Sequence, residues 1–182
     1  DLACNECHLK TKSSVRQQLQ ANVQYLLEQR KTEADFYYHK IGNKHCIACH
    51  NMDKDLHSSY RFNEPRFNEV REKIHPELCI SCHEEHVGQR ISQFKISDCQ
   101  LCHKELKIKH DPISVPHDEL IERKDWQTCL GCHDYHGNHD MVLEKTVGRA
   151  IQQEQLLDYF SKAESPYTGA LITKARSTRY EK

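Results

Sequence analysis

Five times in 182 residues the chain reads Cys-x-x-Cys-His, at Cys4–His8, Cys46–His50, Cys79–His83, Cys99–His103 and Cys129–His133. All ten cysteines are used up in the pairs Cys4/Cys7, Cys46/Cys49, Cys79/Cys82, Cys99/Cys102 and Cys129/Cys132. With 14 His in 182 positions, a His directly after one pair arises by chance roughly 8% of the time, and after all five on the order of 10⁻⁶. Cys-x-x-Cys pairs also build zinc sites and redox disulfides, but neither requires His next to the second Cys. Cys-x-x-Cys-His is the attachment pattern of a c-type haem. Two thiols three positions apart each add to one vinyl group of the macrocycle, and the adjacent His is then held under the iron. The expectation is five covalently bound haem c groups, with His8, His50, His83, His103 and His133 as proximal iron ligands.

Composition fits that expectation. Apolar residues are 37% of the chain, and exchanging Tyr for Gly in the count barely changes this, against about 45–50% in ordinary domains. Macrocycles would supply the missing core. Lys plus Arg is 26 and Asp plus Glu is 27, so no basic excess points to nucleic acid. No apolar run is long enough for a membrane-spanning helix.

Nine His remain for the second axial position, and Met52 and Met141 are the only thioethers. At least three irons are therefore expected to be His/His or open. The spacing repeats. His57 follows His50 by seven positions and His110 follows His103 by seven, while His86 follows His83 by three and His136 follows His133 by three. This reads as two copies of a two-haem unit, 46–98 and 99–140, after a first section, 1–45, that holds haem one and a helical connector. Residues 1–140 form the five-haem part, and 141–182 a haem-free helical and basic tail. His83 and His86 lie too close in sequence to grip opposite faces of one haem, so His86 is expected to reach a neighbouring iron. His45 is read as solvated or propionate-bonding, and His75 and His139 as structural.

The rest of the chain reads as connector. Ser14 and Gln17 form a capping box ahead of a stripe of Val15, Leu19, Val23, Leu26 and Leu27, which predicts an amphipathic helix from Ser13 to about Lys31 that covers a haem face. Pro65, Pro76, Pro112 and Pro116 predict turns and short helices, and no alternating strand pattern persists. Val147, Ala150, Ile151, Leu157 and Phe160 give a second helical stripe. Tyr167–Lys182 carries Lys174, Arg176, Arg179 and Lys182 against the single acid Glu181, a segment suited to clasp a partner or a second copy of the chain. The fold class expected is mainly α with long irregular connectors: a single-domain multihaem cytochrome c with a haem-packed core.

From Cys4 to His139 the layout resembles the small periplasmic pentahaem c-type cytochromes that donate electrons to the pentahaem nitrite reductase. It is also similar to the related decahaem conduit cytochromes. The likeness rests on the haem count and order, on Cys-x-x-Cys-His-x-x-His at Cys79–His86 and Cys129–His136, and on Arg61-Phe62-Asn63-Glu64-Pro65 between motifs two and three. It also implies His39 and His117, each ahead of a motif, as distal ligands. Repeat and resemblance together nominate His57, His86 and His136; the repeat alone nominates His110. That makes six candidates for five places. With every iron saturated, the expected role is electron transfer between redox partners, not catalysis. The location is the periplasm or outer surface, after removal of a signal peptide. The contrasting readings are a reductase of nitrite, hydroxylamine or a sulfur oxyanion with one open iron, and a haem-wire subunit of a larger assembly. The Cys-x-x-Cys-Lys motif that marks the open haem in nitrite reductases is absent.

Overall fold

The computed structural model describes residues 3–50, 55–93 and 95–171. The chain forms two compact units, Asp1–Asn51 with Arg176–Lys182, and Met52–Ala175. Both are mainly helical with irregular connections.

The first unit contains α1 (Cys4–Cys7), α2 (Val15–Leu26) and α3 (Asn43–Ile47), with α1 packed on α3. The capping box opens α2 where the sequence places it: Ser14 N–H donates to Gln17 Oε1 at 2.9 Å and Gln17 N–H to Ser14 Oγ at 3.4 Å. The helix stops at Leu26, earlier than Lys31. Glu28 turns into the left-handed region at φ 58°, and Gln29 N–H reaches back to the Gln24 carbonyl at 2.9 Å. This six-to-one bond is the Schellman ending, here without its usual glycine. The inward face of α2 is polar. Gln18, 3% exposed, donates to Thr11 Oγ1 and the Ser13 carbonyl and accepts from Tyr37 N–H. Asn22 grips the backbone of Ala34 at both its N–H and its carbonyl. The apolar stripe points the other way, with Leu19 and Val23 each 52% exposed and Leu26 77%. Among the described residues of this unit the only buried ones are Gln18 and His45, so no apolar protein core holds it.

The second unit adds α4 (Asn68–Ile74), α5 (Gln100–His103), α6 (His117–Glu122), α7 (Gln127–Cys132) and α8 (Gln153–Phe160), with short 3₁₀ turns between them. Pro65 opens one such turn, Pro76 follows the end of α4, and Pro116 caps α6, as their fixed φ favours. The core lies between α7 and α8: Leu130, Leu156 and Tyr167, with Met141, Ile151 and Phe160 packed against them. The tail thus builds this core. Tyr167 Oη donates to the Leu130 carbonyl at 3.0 Å, and β1 (His139–Asp140) pairs antiparallel with β2 (Ala170–Leu171). Residues 141–171 belong to this unit, so a clasp is confined to 172–182, which lie outside the described residues. The tail stripe also differs in phase from its prediction. Val147–Arg149 is a separate 3₁₀ turn, Ala150 and Gln152 are extended, and α8 starts afresh at Gln153. Leu156 is therefore fully buried, while Leu157 is 47% exposed.

Candidate functional site

Each Cys-x-x-Cys-His motif begins on a helical turn. That geometry sets two thiols three residues apart on one side of the backbone. Motif one is on α1, motif two enters from α3, motif three from the 3₁₀ turn Cys79–Ser81, motif four spans Ile96–Cys99 and α5, and motif five ends α7. In four motifs the His N–H bonds the carbonyl of the first Cys: His8 to Cys4 at 2.9 Å, His50 to Cys46 at 2.8 Å, His83 to Cys79 at 3.0 Å and His133 to Cys129 at 2.8 Å. No disulfide joins any of the ten cysteines. Cys99 and Cys129, the first Cys of motifs four and five, hydrogen-bond each other; that contact and burial both raise the pKa of the Cys99 thiol, while the contact lowers that of Cys129 against the opposing effect of burial.

Motif two departs from a pair carried on one helix. Its first thiol is on α3, but α3 ends at Ile47, and Cys49 lies past that end, half-buried in a turn. The Cys49 N–H bonds the Cys46 carbonyl at 3.1 Å, a tighter three-residue closure than the four-residue bond of an α-helix. Cys46 thus lies on α3 and Cys49 on the turn that follows it, and the tethering role of Cys49 rests on its place in the motif.

The imidazoles of the second unit meet in pairs. His57 faces His103 with ring centres 6.1 Å apart, His83 faces His136 at 6.1 Å, and His117 faces His133 at 6.2 Å. Every pair joins one motif His to one distal candidate. Two imidazoles bonded trans to one first-row metal ion, each at about 2.0–2.1 Å and with roughly 1.1 Å from nitrogen to ring centre, stand about 6.3 Å apart. Other ring pairs reach the same spacing, His8 with Tyr38 at 6.2 Å and Tyr159 with Phe160 at 6.1 Å. The distance thus permits a shared metal, and what sets the three pairs apart is that both rings are imidazoles and one belongs to a motif. The interplanar angles of the three pairs, 76°, 28° and 40°, are free to differ because each ring can rotate about a shared axis.

The second nitrogen of each distal candidate is already engaged. His57 Nδ1 donates to the Tyr135 carbonyl at 2.6 Å, His117 Nδ1 meets Asp111 Oδ2 at 2.8 Å, and His136 Nδ1 meets Asp55 Oδ1 at 3.1 Å. On the motif side, His83 Nδ1 donates to the Arg90 carbonyl at 2.6 Å. An Nδ1–H so bound leaves Nε2 as the lone pair that can face a metal, the usual orientation of ligating His. Burial also holds the His57 imidazole below its ordinary pKa, only partly offset by the Tyr135 carbonyl, which favours the neutral, ligating form.

Arg90 is itself anchored. Its guanidinium donates to the carbonyls of Tyr159 at 2.8 Å and Ala163 at 2.6 Å, at the C-terminal end of α8, and lies over the Tyr159 ring. A cation suits the negative end of a helix. Arg90 thus links the end of α8 to His83 of motif three.

The remaining candidates differ from these. In the first unit His39 is half-buried, with Nδ1 on Asp35 Oδ2 at 3.0 Å. His86 is exposed and left-handed at φ 71°. His110 is also exposed and left-handed, at φ 54°. His139 is structural: buried, it bonds Asp134 through Nδ1 and Ser165 Oγ through Nε2. His45 is 4% exposed and not solvated; its Nδ1 accepts from Gly42 N–H at 3.0 Å and its buried Nε2 has no partner. Sequence reasoning missed Asp35, Asp55, Asp111, Arg90 and Tyr135. For the three acids the readable signal is a carboxylate two to six residues ahead of a distal candidate.

No protein family, no curated protein and no solved structure matches this chain.

The residues present fit haem. A cavity of about 830 Å³ is lined by Cys99, Cys102, Cys129 and Cys132 together with His57, His103, His117 and His133, large within the range of about 300–1,000 Å³ for cofactor sites. Phe62, Val70, Leu120 and Trp126 give it apolar walls, and Arg61, Arg66 and Lys145 add cations. Its thiols come from motifs four and five alone; Cys4, Cys7, Cys46, Cys49, Cys79 and Cys82 do not line it. A closed zinc site needs four converging ligands. Among the described residues no three His, Cys, Asp or Glu side chains converge in that way; the imidazoles come in twos.

Proposed function

We propose that this chain is a pentahaem c-type cytochrome that carries electrons between redox proteins outside the cytoplasm. The observation that carries the reading is the set of three imidazole pairs at 6.1–6.2 Å, each uniting a motif His with a distal candidate. The first unit adds support, because it has helices and a capped loop but, among its described residues, no buried apolar side chain of its own. Bound at these sites, haem supplies reversible one-electron storage at iron. The thiols of each motif tether it. His103 with His57, His83 with His136 and His133 with His117 would hold its iron and leave no place for a substrate. His39, His86 and His110 remain distal candidates with no iron assigned to them. Arg61, Arg66 and Lys145, which share the cavity wall with Asp98, Asp125, Asp134 and Glu144, are the cations that would meet propionates there. Haems held by two imidazoles each would exchange electrons without bonding a substrate, which favours a carrier over a reductase.

The test is mass and spectrum together. The denatured holoprotein is expected to exceed 21.4 kDa by about 3 kDa for five thioether-bound haems. The oxidised protein is expected to be low-spin throughout and unmoved by nitrite or cyanide. A mass near that of the polypeptide removes the cytochrome reading. Five haems with a nitrite-induced shift make the protein a reductase instead.

A further inference from the structure

Two segments far apart in sequence hold each other's distal ligand. Asp55 Oδ1 accepts from the backbone N–H of His57 at 2.9 Å and pairs with His136 Nδ1 at 3.1 Å. In return the Tyr135 carbonyl accepts from His57 Nδ1 at 2.6 Å, and Leu56 N–H reaches the His136 carbonyl at 3.4 Å. The Asp55 side chain is 9% exposed, so its charge is poorly screened by water. Between the two imidazoles lies the Tyr135 ring, stacked on His57 at 4.2 Å and edge-on to His136 at 4.9 Å. His57 faces the proximal His of motif four, and His136 that of motif three.

We propose that Asp55 and Tyr135 are positioning residues that clamp the distal ligands of haems three and four into one coupled unit, with Asp55 holding the potential of haem three down. The inference rests on the haem reading. A carboxylate on the far nitrogen makes an imidazole a stronger donor, and a stronger donor favours the ferric state. His136 has such a carboxylate, whereas His57 has only a neutral carbonyl. The ring of Tyr135 gives the two ligands a shared contact, so a change at one is felt at the other.

The holoprotein and its Asp55→Asn, Asp55→Glu, Tyr135→Leu and Asp111→Asn variants are compared by potentiometric titration and by electron paramagnetic resonance. His136→Ala identifies the transition that belongs to haem three. Asp55→Asn is expected to raise that midpoint while all five haems stay low-spin, and Asp55→Glu to restore it. Asp111→Asn is expected to raise a different midpoint, that of haem five. Tyr135→Leu is expected to shift two low-spin signals together. The proposal is overturned if Asp55→Asn carries five haems and leaves every midpoint in place, or if Tyr135→Leu moves no signal or only one. A parent protein without haem overturns the function itself, which its mass reveals before any variant is made.

Discussion

An imidazole has two nitrogens, and the partner of one constrains the use of the other. His57, His117 and His136 have Nδ1 taken by an oxygen and Nε2 left to face a motif His. His139 has both nitrogens bonded within the protein. Replacing His57, His117 or His136 by Ala is expected to open one iron and add one high-spin ferric signal, readable by electron paramagnetic resonance. Replacing His139 by Ala is expected to leave every iron low-spin but to cost about 1–3 kcal/mol, because Asp134 and Ser165 lose a buried partner; thermal melting reads the loss. The motif cysteines and proximal His are legible in the sequence because they are adjacent in it. Which distal His faces which motif is not, because that pairing depends on how remote segments fold together. His57 and His110 hold equivalent places in the sequence repeat, yet His57 sits across from His103 and His110 lies exposed in a left-handed turn. The difference lies in the partners: Asp55 and the Tyr135 carbonyl fix His57 from both sides.

At the scale of elements, the start of α2 was legible but its end was not, and α8 was misread at its start as well. The box of Ser14 and Gln17 lies within four residues and opens α2 as read. The ends of α2 and α8 depend on Glu28 and Lys162 adopting left-handed backbone, at φ 58° and 81°, where sequence statistics expect glycine. The outward stripe on α2 was legible as amphipathic, but the inward role of Gln18 and Asn22 was not, since their partners at residues 34 and 37 are remote. Gly131 shows how closely the tail meets motif five. A Cβ there would lie 2.6 Å from the Ile151 carbonyl oxygen and 3.2 Å from the Ala150 Cβ, and the Ile151 N–H bonds the Gly131 carbonyl at 3.0 Å. Gly131→Ala is thus expected to push the chain before α8 outward, costing about 1–3 kcal/mol as an overpacked contact. The melting temperature is expected to fall with all five haems still attached. Unchanged melting would mean that this contact adds nothing to stability.

For the whole molecule, the two units differ in what holds them. The second has an apolar cluster at Leu130, Leu156 and Tyr167; the first has none among its described residues. Chains this short rarely fold without a core or a bound group. Made without haem, the chain is expected to show fast amide exchange throughout residues 3–50, with slower exchange only around α7 and α8. Persistent protection across α2 in that form would mean that the helix needs no macrocycle. Charge is the other property of the whole. The polypeptide is close to neutral at −1, but the five proposed haems would add ten propionates and five ferric charges, so the oxidised protein would approach about −6 and reduction would make it more negative. A partner with a basic patch around its entry haem is then drawn in over a distance set by the ionic strength. Raising salt from about 0.01 M to 0.15 M shortens that reach from about 30 Å to 8 Å. Stopped-flow electron transfer to a basic monohaem cytochrome is therefore expected to slow steadily with added salt, mainly through the association rate. A local feature competes: Lys104, Lys107, Lys109 and His110 lie exposed just after the His of motif four. If the rate rises with salt instead, this basic edge faces the partner, and replacing its three lysines by Glu is expected to reverse the salt dependence.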